Sequence, residues 1–383
     1  MSCPAPNPTW WRGVAPSTCG CAASPVRPLW RCATSDRTLR LDLDEPVHAA
    51  ILHTRLVRHG HAILTEAAPP AQDGWCDGHA HEIAVPLVRA GAAAPCPLVG
   101  SLPVVTNGSH GQWPGAPDAR WLSARVHTHP ERHDEIIAER LPGLVAALGE
   151  QTGCWFVRYR SPHQSDHVRL RLRTRDREQR GRYVAAVGDW ARRLHRDGLA
   201  GRLVFDSYQP EVGRYGDGPA LHAAEAVFVA DSQAVSAQLR HLPAGTIHPT
   251  ALAAVGMVHI VGGFLGPDPA MRWLATHPVP APGNGTDRAV AGQAIRLAQP
   301  GALTDLPGFT GEVAEAWQAR TAALTAYRLQ LPDDADTDGV VESLLHMHHN
   351  RAIGVDPDRE RTCRRLARQA ALVWQTRRAG NDA

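Results

Sequence analysis

The sequence predicts an α+β fold, with strands concentrated early in the main domain and helices late. Apolar and polar residues alternate in several short runs up to residue 210, which is the two-residue period of half-buried strands. Beyond that point, apolar residues recur at helical spacing over longer stretches, as in 218–242. Strands followed by a block of helices are typical of α+β domains.

The composition permits a large folded core, and it excludes few classes of protein. The chain has 383 residues, of which 43% are hydrophobic, enough for one large domain or two smaller ones. A formal net charge of +2 does not indicate a protein that binds nucleic acid or a membrane surface. The sequence contains no lysine, so all 40 basic residues are arginines, whose planar guanidinium groups suit carboxylate and phosphate ligands.

Cysteine usage and the N-terminus favour a cytoplasmic location. The eight cysteines form no C-x-x-C pair, and the first residues lack the basic-then-apolar pattern of a signal peptide. The longest apolar stretch, 251–265, is too short to span a bilayer and contains His259. We therefore expect reduced thiols, no membrane association, and a buried helix at this stretch.

Three parts are predicted along the chain. Residues 1–28 are rich in Pro, Ser, Ala and Cys and predict a flexible tail. Residues 29–118 predict a small β-rich segment, with strands in "HAILTE" (61–66) and "HEIAVPLVRA" (81–90) and a Gly/Pro-rich linker at its end. Residues 119–383 form the predicted catalytic domain.

The main domain begins with patterned segments. "WLSARVHTH" predicts a strand, and 130–148 predicts a helix with a kink or break at Pro142. "CWFVRYR" and "DHVRLRLR" predict a β-hairpin joined by "SPHQS", and the following helix is predicted to stop at Gly198.

The second half is predicted to be largely helical after one more strand, "GRLVFDSYQP". Residues 218–242 predict one or two helices. Two helices close the chain: one ends near Arg351, with Asp336 or Thr337 as its N-cap, and one starts near Pro357.

The run "HVRLRLR" is the strongest local signal. On a strand, His167, Arg169, Arg171 and Arg173 would share one face, with the leucines on the other. The commoner explanation of such a pattern is a solvated outer face. Arg158 and Arg160 lie on the partner run, however, and only Asp166 is near in sequence. Arginines in this number predict an anionic, carboxylate-bearing ligand.

The segment "YQPEVGRYGDG" places Glu211 and Arg214 three residues apart beside a glycine-rich turn. Its ordinary interpretation is a surface ion pair of little energetic value. Its functional interpretation is a glutamate that orients an arginine, both presented from a loop.

Histidines cluster twice. In "SLLHMHHNR", His346 shares a helical face with Asn350, and it follows an apolar pair, so we expect it to point partly inward. A buried structural histidine is an equal alternative there. In "VHTHPERH", chance clustering is favoured over a metal site, because the chain has 21 histidines.

Together these segments resemble the C-terminal elimination domain of lantibiotic dehydratases, a family that includes thiopeptide-type bacteriocin biosynthesis domains. The resemblance spans residues 121–374 and rests on "WLSARVHTHPERHDEI", "WFVRYRSP…HVRLRLR", "YQPEVGRYGDG…AAEAVFVADS" and "SLLHMHHNRAIGVDP". It implies an antiparallel or mixed sheet with helices packed around it. The stretch "AILTEAAPPAQDGWCDGHAHEIAVPLV" resembles the end of a glutamylation domain, so the chain is similar to the elimination half of a split dehydratase.

The resemblance also implies the site. The family's elimination motifs match here at the predicted catalytic residues Arg169, Arg171, Glu211, Arg214 and His346. The predicted substrate-binding residues are Arg158, Arg160, His167, Tyr215, Asn350 and Arg351. Two positions depart from the family pattern: Gly213 stands where a charged residue is expected, and Asp217 where a second glycine is expected.

The implied reaction removes glutamate from glutamylated Ser or Thr of a ribosomally made precursor peptide, leaving dehydroalanine or dehydrobutyrine. The resemblance implies a lyase that needs no metal or organic cofactor. The implied partners are the precursor peptide, with its leader and glutamylated core, and a separate tRNA-dependent glutamylation subunit. Direct nucleic-acid binding is not implied.

Two alternatives stay open on the sequence. One is a thiopeptide pyridine synthase, which joins two dehydroalanines in a formal [4+2] cycloaddition and expels the leader. The other is a non-catalytic docking subunit, in which the part before Asp118 binds a leader peptide at a sheet edge. The intact set of motif residues favours elimination over both.

Overall fold

A computed structural model describes residues 29–34, 37–67, 111–149, 153–161, 164–277 and 287–381. The predicted tail, the predicted strand at 81–90 and the start of the predicted linker lie outside the described residues. The chain divides into two compact units, 1–95 and 96–383, which are described separately.

Within its described residues, 29–34 and 37–67, the N-terminal unit contains three strands and one helix. Strands β1 (Leu29–Thr34), β2 (Arg37–Asp42) and β3 (Ile63–Glu66) form an antiparallel sheet in the order β2-β1-β3. Helix α1 (Pro46–His59) was not predicted, and it covers a small core of Cys32, Leu41 and Leu52. Strand β3 confirms the strand predicted in "HAILTE".

The second unit is built on a four-stranded antiparallel sheet. Its strands are β4 (Trp121–His127), β5 (Cys154–Ser161), β6 (Gln164–Arg173) and β7 (Arg202–Asp206), in the order β5-β6-β4-β7. These strands confirm the predicted hairpin and the two predicted flanking strands, and the fold is α+β as predicted.

The helical stretch between β4 and β5 is irregular. It consists of a 3₁₀ turn (Pro130–Arg132), α2 (His133–Glu135), a π turn (Ile136–Arg140) and α3 (Leu141–Leu148). Pro142 lies in the first turn of α3, and helical residues run without a gap from 133 to 148, so the chain is not broken there. The irregularity next to Pro142 is the π turn just before it.

The two faces of the sheet differ in chemistry because side chains alternate along each strand. One face carries Leu122, Phe156 and Leu170, which pack against α3 and α4 (Arg177–Arg196). Helix α4 ends at Arg196, and Gly198 adopts a φ of 73° just beyond it, as predicted for a stop signal. The opposite face is polar and is described below.

Helices form the rest of the unit. They are α5 (Val212–Tyr215), α6 (Pro219–His241), α7 (Pro249–Leu265), α8 (Pro267–Thr276), α9 (Arg288–Leu297), α10 (Glu312–Gln330), α11 (Thr337–Ala352) and α12 (Pro357–Asn381). Residues 218–242 thus form one helix, and the apolar stretch forms the buried helix α7. Asp336 caps α11 by accepting a hydrogen bond from the Gly339 amide at 2.9 Å. Within the described residues, no helix has the length and apolar character needed to cross a membrane.

Polar side chains attach the helices to the edge strand β5. Ser232 of α6 accepts from the Phe156 amide at 3.2 Å, and Asn350 of α11 accepts from the Arg158 amide at 2.9 Å. The Arg351 guanidinium donates to the Phe156 carbonyl at 3.2 Å. Because these bonds satisfy backbone groups at an otherwise open sheet edge, they fix α6 and α11 against β5.

A buried ionic network joins three of the helices, α6, α10 and α11. The Asp231 carboxylate of α6 accepts from Arg320 at 2.9 Å, His348 at 2.8 Å and Arg351 at 3.1 Å. These contacts hold the pKa of Asp231 well below its usual range, although burial alone would raise it. Gly256 of α7 leaves room for the His348 ring, whose Nε2 lies 2.2 Å from where a Cβ would sit.

Candidate active site on the polar face of the sheet

The polar face carries a row of basic side chains from two neighbouring strands. The register places Arg169 directly opposite Arg125, Arg171 opposite Ser123, and His167 opposite His127. Residues directly opposite each other in an antiparallel pair lie on the same face, so the prediction that His167, Arg169 and Arg171 share a face is confirmed.

Arg171 is a buried cation that forms no ion pair with any residue that the structure describes. Its side chain is 9% exposed, and its guanidinium carbon lies 4.6 Å from the Trp155 ring centre and 5.1 Å from that of Tyr208. Its Nε and Nη1 atoms have no hydrogen-bond partner among the described residues. Burial lowers the pKa of Arg171 to about 10, so the group is still charged at neutral pH. A buried guanidinium in this state is suited to an anionic ligand.

Arg169 is held by aromatic and imidazole groups. Its guanidinium carbon lies 3.6 Å from the Tyr159 ring centre, and its Nε donates to His167 Nε2 at 3.2 Å. Because His167 Nε2 accepts, its Nδ1 carries the proton and donates to the Ser165 carbonyl at 2.8 Å. Burial lowers the pKa of His167 to about 4, which keeps the ring neutral at physiological pH.

Arg125 and Asp206 complete this cluster and were not predicted as site residues. Arg125 forms an ion pair with Asp206 of β7, whose side chain is 32% exposed. Asp206 lies opposite Ser123, which in turn lies opposite Arg171. We call Arg125, Arg169, Arg171 and Asp206 the arginine cluster. The alternation in "WLSARVH" was the available signal for Arg125, but only the strand register brings it next to Arg169.

Tyr208 and Glu225 form a wall beside Arg171. The Glu225 carboxylate accepts hydrogen bonds from the Trp121 indole and the Tyr208 hydroxyl, and burial raises its pKa. Burial and the nearby Glu225 also raise the pKa of Tyr208 above its ordinary value. Tyr208 is thus a buried, neutral hydroxyl that joins Arg171 to helix α6. Sequence reasoning singled out neither residue.

The loop after β7 brings Glu211 and Arg214 near this wall. Their side chains pair at 3.0 Å, and both are about half exposed. The Glu211 carboxylate is near enough to raise the pKa of both Tyr208 and Tyr215, the latter to about 12 with burial as the main cause. Tyr215 is buried, with its ring centre 4.9 Å from that of Phe228. The glycines beside Asp217 supply the loop's turn, since φ is 85° at residue 216 and 57° at residue 218.

Two of the predicted substrate-binding arginines lie elsewhere. Arg158 is directly opposite Val168, so it projects to the apolar face, away from Arg169. There it pairs with Asp134 at 2.6 Å and donates to the Arg351 carbonyl at 2.8 Å. Arg160 is exposed and lies 3.7 Å from Asp166. Asp166 is the acid near these arginines in sequence, and the structure adds Asp134 of α2, a distant acid that pairs with Arg158.

Asn350 and Arg351 have structural contacts in the described residues. Asn350 bonds to the β5 backbone, and Arg351 bonds both to Asp231 and to the Phe156 carbonyl. These bonds place the end of α11 against the same edge strand that carries Trp155.

His346 points outward, contrary to the expectation from its apolar neighbours. Its side chain is 52% exposed, and its Nδ1 lies 2.9 Å from a carboxylate oxygen of Glu360 on α12. The helical phase places Leu344 and His348 toward the core instead. Hydrogen bonds from His346 and Arg364 lower the pKa of Glu360 to about 2, against the opposing effect of burial. Among the described residues, no recorded contact joins His346 to the arginine cluster.

The histidines of "VHTHPERH" do not converge. His127 bonds to Ser165 Oγ at 2.8 Å on the polar face, whereas His133 is buried near Arg158 and its pKa falls to about 4 through burial. In the part of the chain that the structure describes, no group of three or more His, Cys, Asp or Glu residues is arranged to hold a metal ion.

Known proteins share this region of the chain. The model of the lantibiotic biosynthesis dehydratase C-terminal family matches residues 121–371, a range that includes every predicted site residue. The subtilin biosynthesis protein SpaB of Bacillus subtilis is 25% identical over 216 residues, which cover 54% of this chain and 20% of SpaB.

Two solved structures are similar in fold. The tRNA-dependent lantibiotic dehydratase MibB of Microbispora sp. 107891 matches 92% of this chain and 37% of its own, with 24% identity and a TM-score of 0.55. The pyridine synthase TbtD of thiomuracin biosynthesis matches 66% of this chain and 97% of its own, at 15% identity, and its TM-score of 0.42 is too low to support an argument. This chain thus spans a fifth of SpaB and just over a third of MibB.

The family model covers well over half of the chain and contains the whole arginine cluster, so the protein belongs to the lantibiotic biosynthesis dehydratase C-terminal family.

Proposed function

We propose that this protein eliminates glutamate from glutamylated Ser or Thr residues of a ribosomally made precursor peptide, which leaves dehydroalanine or dehydrobutyrine. The observation that carries the proposal is Arg171, a buried guanidinium without a counterion contact, beside two further arginines on one sheet face. Family membership supplies the class of reaction, dehydration of a peptide.

The charge of the arginine cluster suits this substrate. Three guanidinium groups face one carboxylate, so the cluster carries an excess of positive charge. Burial is the main cause that lowers the pKa of Arg169, and repulsion from Arg125 lowers it further. Like charges directly opposite on a sheet are destabilising unless an anion separates them. A glutamyl ester brings one carboxylate on its side chain, and its departure creates a second.

The arginines would stabilise both charges that develop in the reaction. A base removes the Cα proton of the modified Ser, the Cβ–O bond breaks, and its electron pair leaves on the glutamate carboxylate as the C=C bond forms. Fixed guanidinium groups in a site that excludes water stabilise such charges far more than water does. We assign this work to Arg169, Arg171 and Arg214, with Glu211 orienting Arg214.

We assign proton removal to His346. The assignment rests on its place in the family motif and on its bond to Glu360, which fixes the half-exposed ring through Nδ1 rather than through Nε2. A carboxylate that orients an imidazole in this way is a common arrangement for a general base. The position in which the peptide binds would decide which arginines its glutamyl group contacts.

The proposed reaction also implies a catalytic domain, a partner protein and the absence of a required cofactor. Residues 119–383 would form the catalytic domain. A separate tRNA-dependent protein would attach glutamate to the precursor peptide, in line with the tRNA dependence named for MibB. The elimination itself balances without a metal or organic cofactor.

Mass spectrometry of a glutamylated Ser peptide incubated with the purified protein tests the proposal. We expect a dehydroamino acid in place of the glutamylated residue. The same protein is given a peptide with two dehydroalanines in parallel. Ring formation there, with the glutamylated peptide unchanged, would replace elimination by cycloaddition.

A further inference from the structure

We infer that Asp206 binds the α-ammonium group of the glutamyl unit, so that the arginine cluster selects an amino acid rather than a simple dicarboxylate. This inference rests on the proposed function and deepens it. It assigns a specificity-determining residue that neither the family motifs nor the sequence pattern singled out.

The sheet register places Asp206 within reach of a ligand held by the arginines. Asp206, Ser123 and Arg171 lie side by side on β7, β4 and β6. Two strand spacings separate the outer two backbones, about 10 Å. The Ser123 side chain that lies between them is small and buried, so it does not span the gap between Asp206 and Arg171. Arg125 and Arg169 flank this space from the adjacent row of the same face.

The Asp206 carboxylate retains capacity for a second partner. Its Oδ2 accepts from Arg125, and the described residues show no bond at Oδ1. An ionised carboxylate has about four acceptor positions, so one guanidinium contact does not saturate it. The side chain is also 32% exposed, whereas Arg171 beside it is 9% exposed. A carboxylate that only anchored Arg125 would not need to be exposed.

The charges of the cluster match those of the ligand. At neutral pH, free glutamate carries two carboxylates and one ammonium group, and the glutamyl ester carries the ammonium and one carboxylate. The guanidinium groups of the arginine cluster can pair with the ligand carboxylates, and the Asp206 carboxylate can pair with the ligand ammonium group. Burial lowers the pKa of both Arg169 and Arg171, and the Asp206 charge opposes that shift, so its field acts on the same groups that would hold the ligand carboxylates.

Binding of L-glutamate and glutarate to the purified protein tests the inference, because glutarate keeps both carboxylates and lacks the ammonium group. By isothermal titration calorimetry, the wild-type protein should prefer glutamate by about tenfold or more, the usual effect of a hydrogen bond to a charged group. Asp206→Asn should abolish the preference, chiefly by strengthening glutarate binding.

Two further variants make the result decisive. Asp206→Glu keeps the charge and should keep the preference for glutamate. Asp189→Asn removes an exposed acid that pairs with Arg192 on α4, and it should change nothing. An equal affinity of the wild type for both ligands, or an unchanged preference in Asp206→Asn, overturns the inference.

The ligand-binding assay and the elimination assay together separate the ammonium site from the proposed function. If the preference depends on Asp206 but the protein leaves a glutamylated peptide unchanged, the amino-acid site stands and elimination fails. If elimination proceeds and the preference is independent of Asp206, elimination stands and the ammonium site is overturned.

Discussion

Replacing Arg171 with methionine should stabilise the protein and abolish its activity. Burial lowers the pKa of Arg171 from its ordinary value to about 10. At about 1.4 kcal/mol per pKa unit, the buried charge costs the folded state about 3 kcal/mol. The guanidinium is charged in both the folded and the unfolded state at pH 7, which lies below both pKa values, so this cost is present in full.

Aromatic contacts offset part of that cost. Trp155 and Tyr208 each give the guanidinium a cation–π contact worth about 0.5–1 kcal/mol. Methionine fills a similar volume without a charge, as in other buried ionic groups whose replacement by apolar residues stabilises proteins. We therefore expect the free energy of unfolding of Arg171→Met to rise by about 1–2 kcal/mol.

Chemical denaturation at pH 7 measures this change, and the elimination assay measures the loss of activity. Arg173→Met is the matched control, because Arg173 lies on the same strand and face but is exposed. It should change stability by less than about 0.5 kcal/mol and keep the activity. A drop of more than about 1 kcal/mol in the stability of Arg171→Met would falsify the view that Arg171 is an uncompensated charge kept for a ligand.

Two other variants, Asp231→Asn and Glu360→Gln, have definite expected outcomes. Asp231→Asn should lower the free energy of unfolding by about 3–5 kcal/mol in denaturant titrations, because it leaves Arg320 and Arg351 buried without their carboxylate. A change below about 1 kcal/mol would show that the network contributes little to stability. Glu360→Gln should lower kcat with little change in KM, since it frees the His346 ring, and an unchanged kcat and pH profile would remove Glu360 from the mechanism. The same variant should show a shallower loss of stability on acidification. The lowered pKa of Glu360 contributes stability that is present above about 4.5 and is lost as the pH falls toward about 2.

The sequence predicted the local elements of this fold well. The alternation of "HVRLRLR" placed His167, Arg169 and Arg171 on one face, and the strand register agrees. The Asp336 cap followed from the same kind of short-range rule. These features depend on neighbouring residues alone, so no knowledge of the tertiary structure was needed.

Features that depend on contacts between distant residues were not predictable in the same way. Arg125 and Asp206 are 81 residues apart, and they meet only because β4 lies between β6 and β7 in the sheet. The partner of Arg158 is Asp134, which comes from the irregular helical stretch before β5. Pattern analysis along one strand could not reveal either pair.

The orientation of His346 was not predictable for a different reason. Two preceding apolar residues suggested an inward orientation, but a helix turns by about 100° per residue, so neighbours in sequence occupy different faces. The orientation of α11 is set by His348 and Arg351, which bond to Asp231 of α6 and so turn His346 toward α12. Only the packed structure determines that phase.

The most direct test of the central claim uses a precursor peptide whose glutamylated serine carries deuterium at Cα. After incubation with the purified protein, mass spectrometry follows the peptide and amino-acid analysis follows free glutamate. Elimination predicts a dehydroalanine that has lost the deuterium, with one glutamate released for each residue converted. Recovery of serine that still carries deuterium would mean ester hydrolysis and would contradict the account, as would a peptide that stays fully glutamylated.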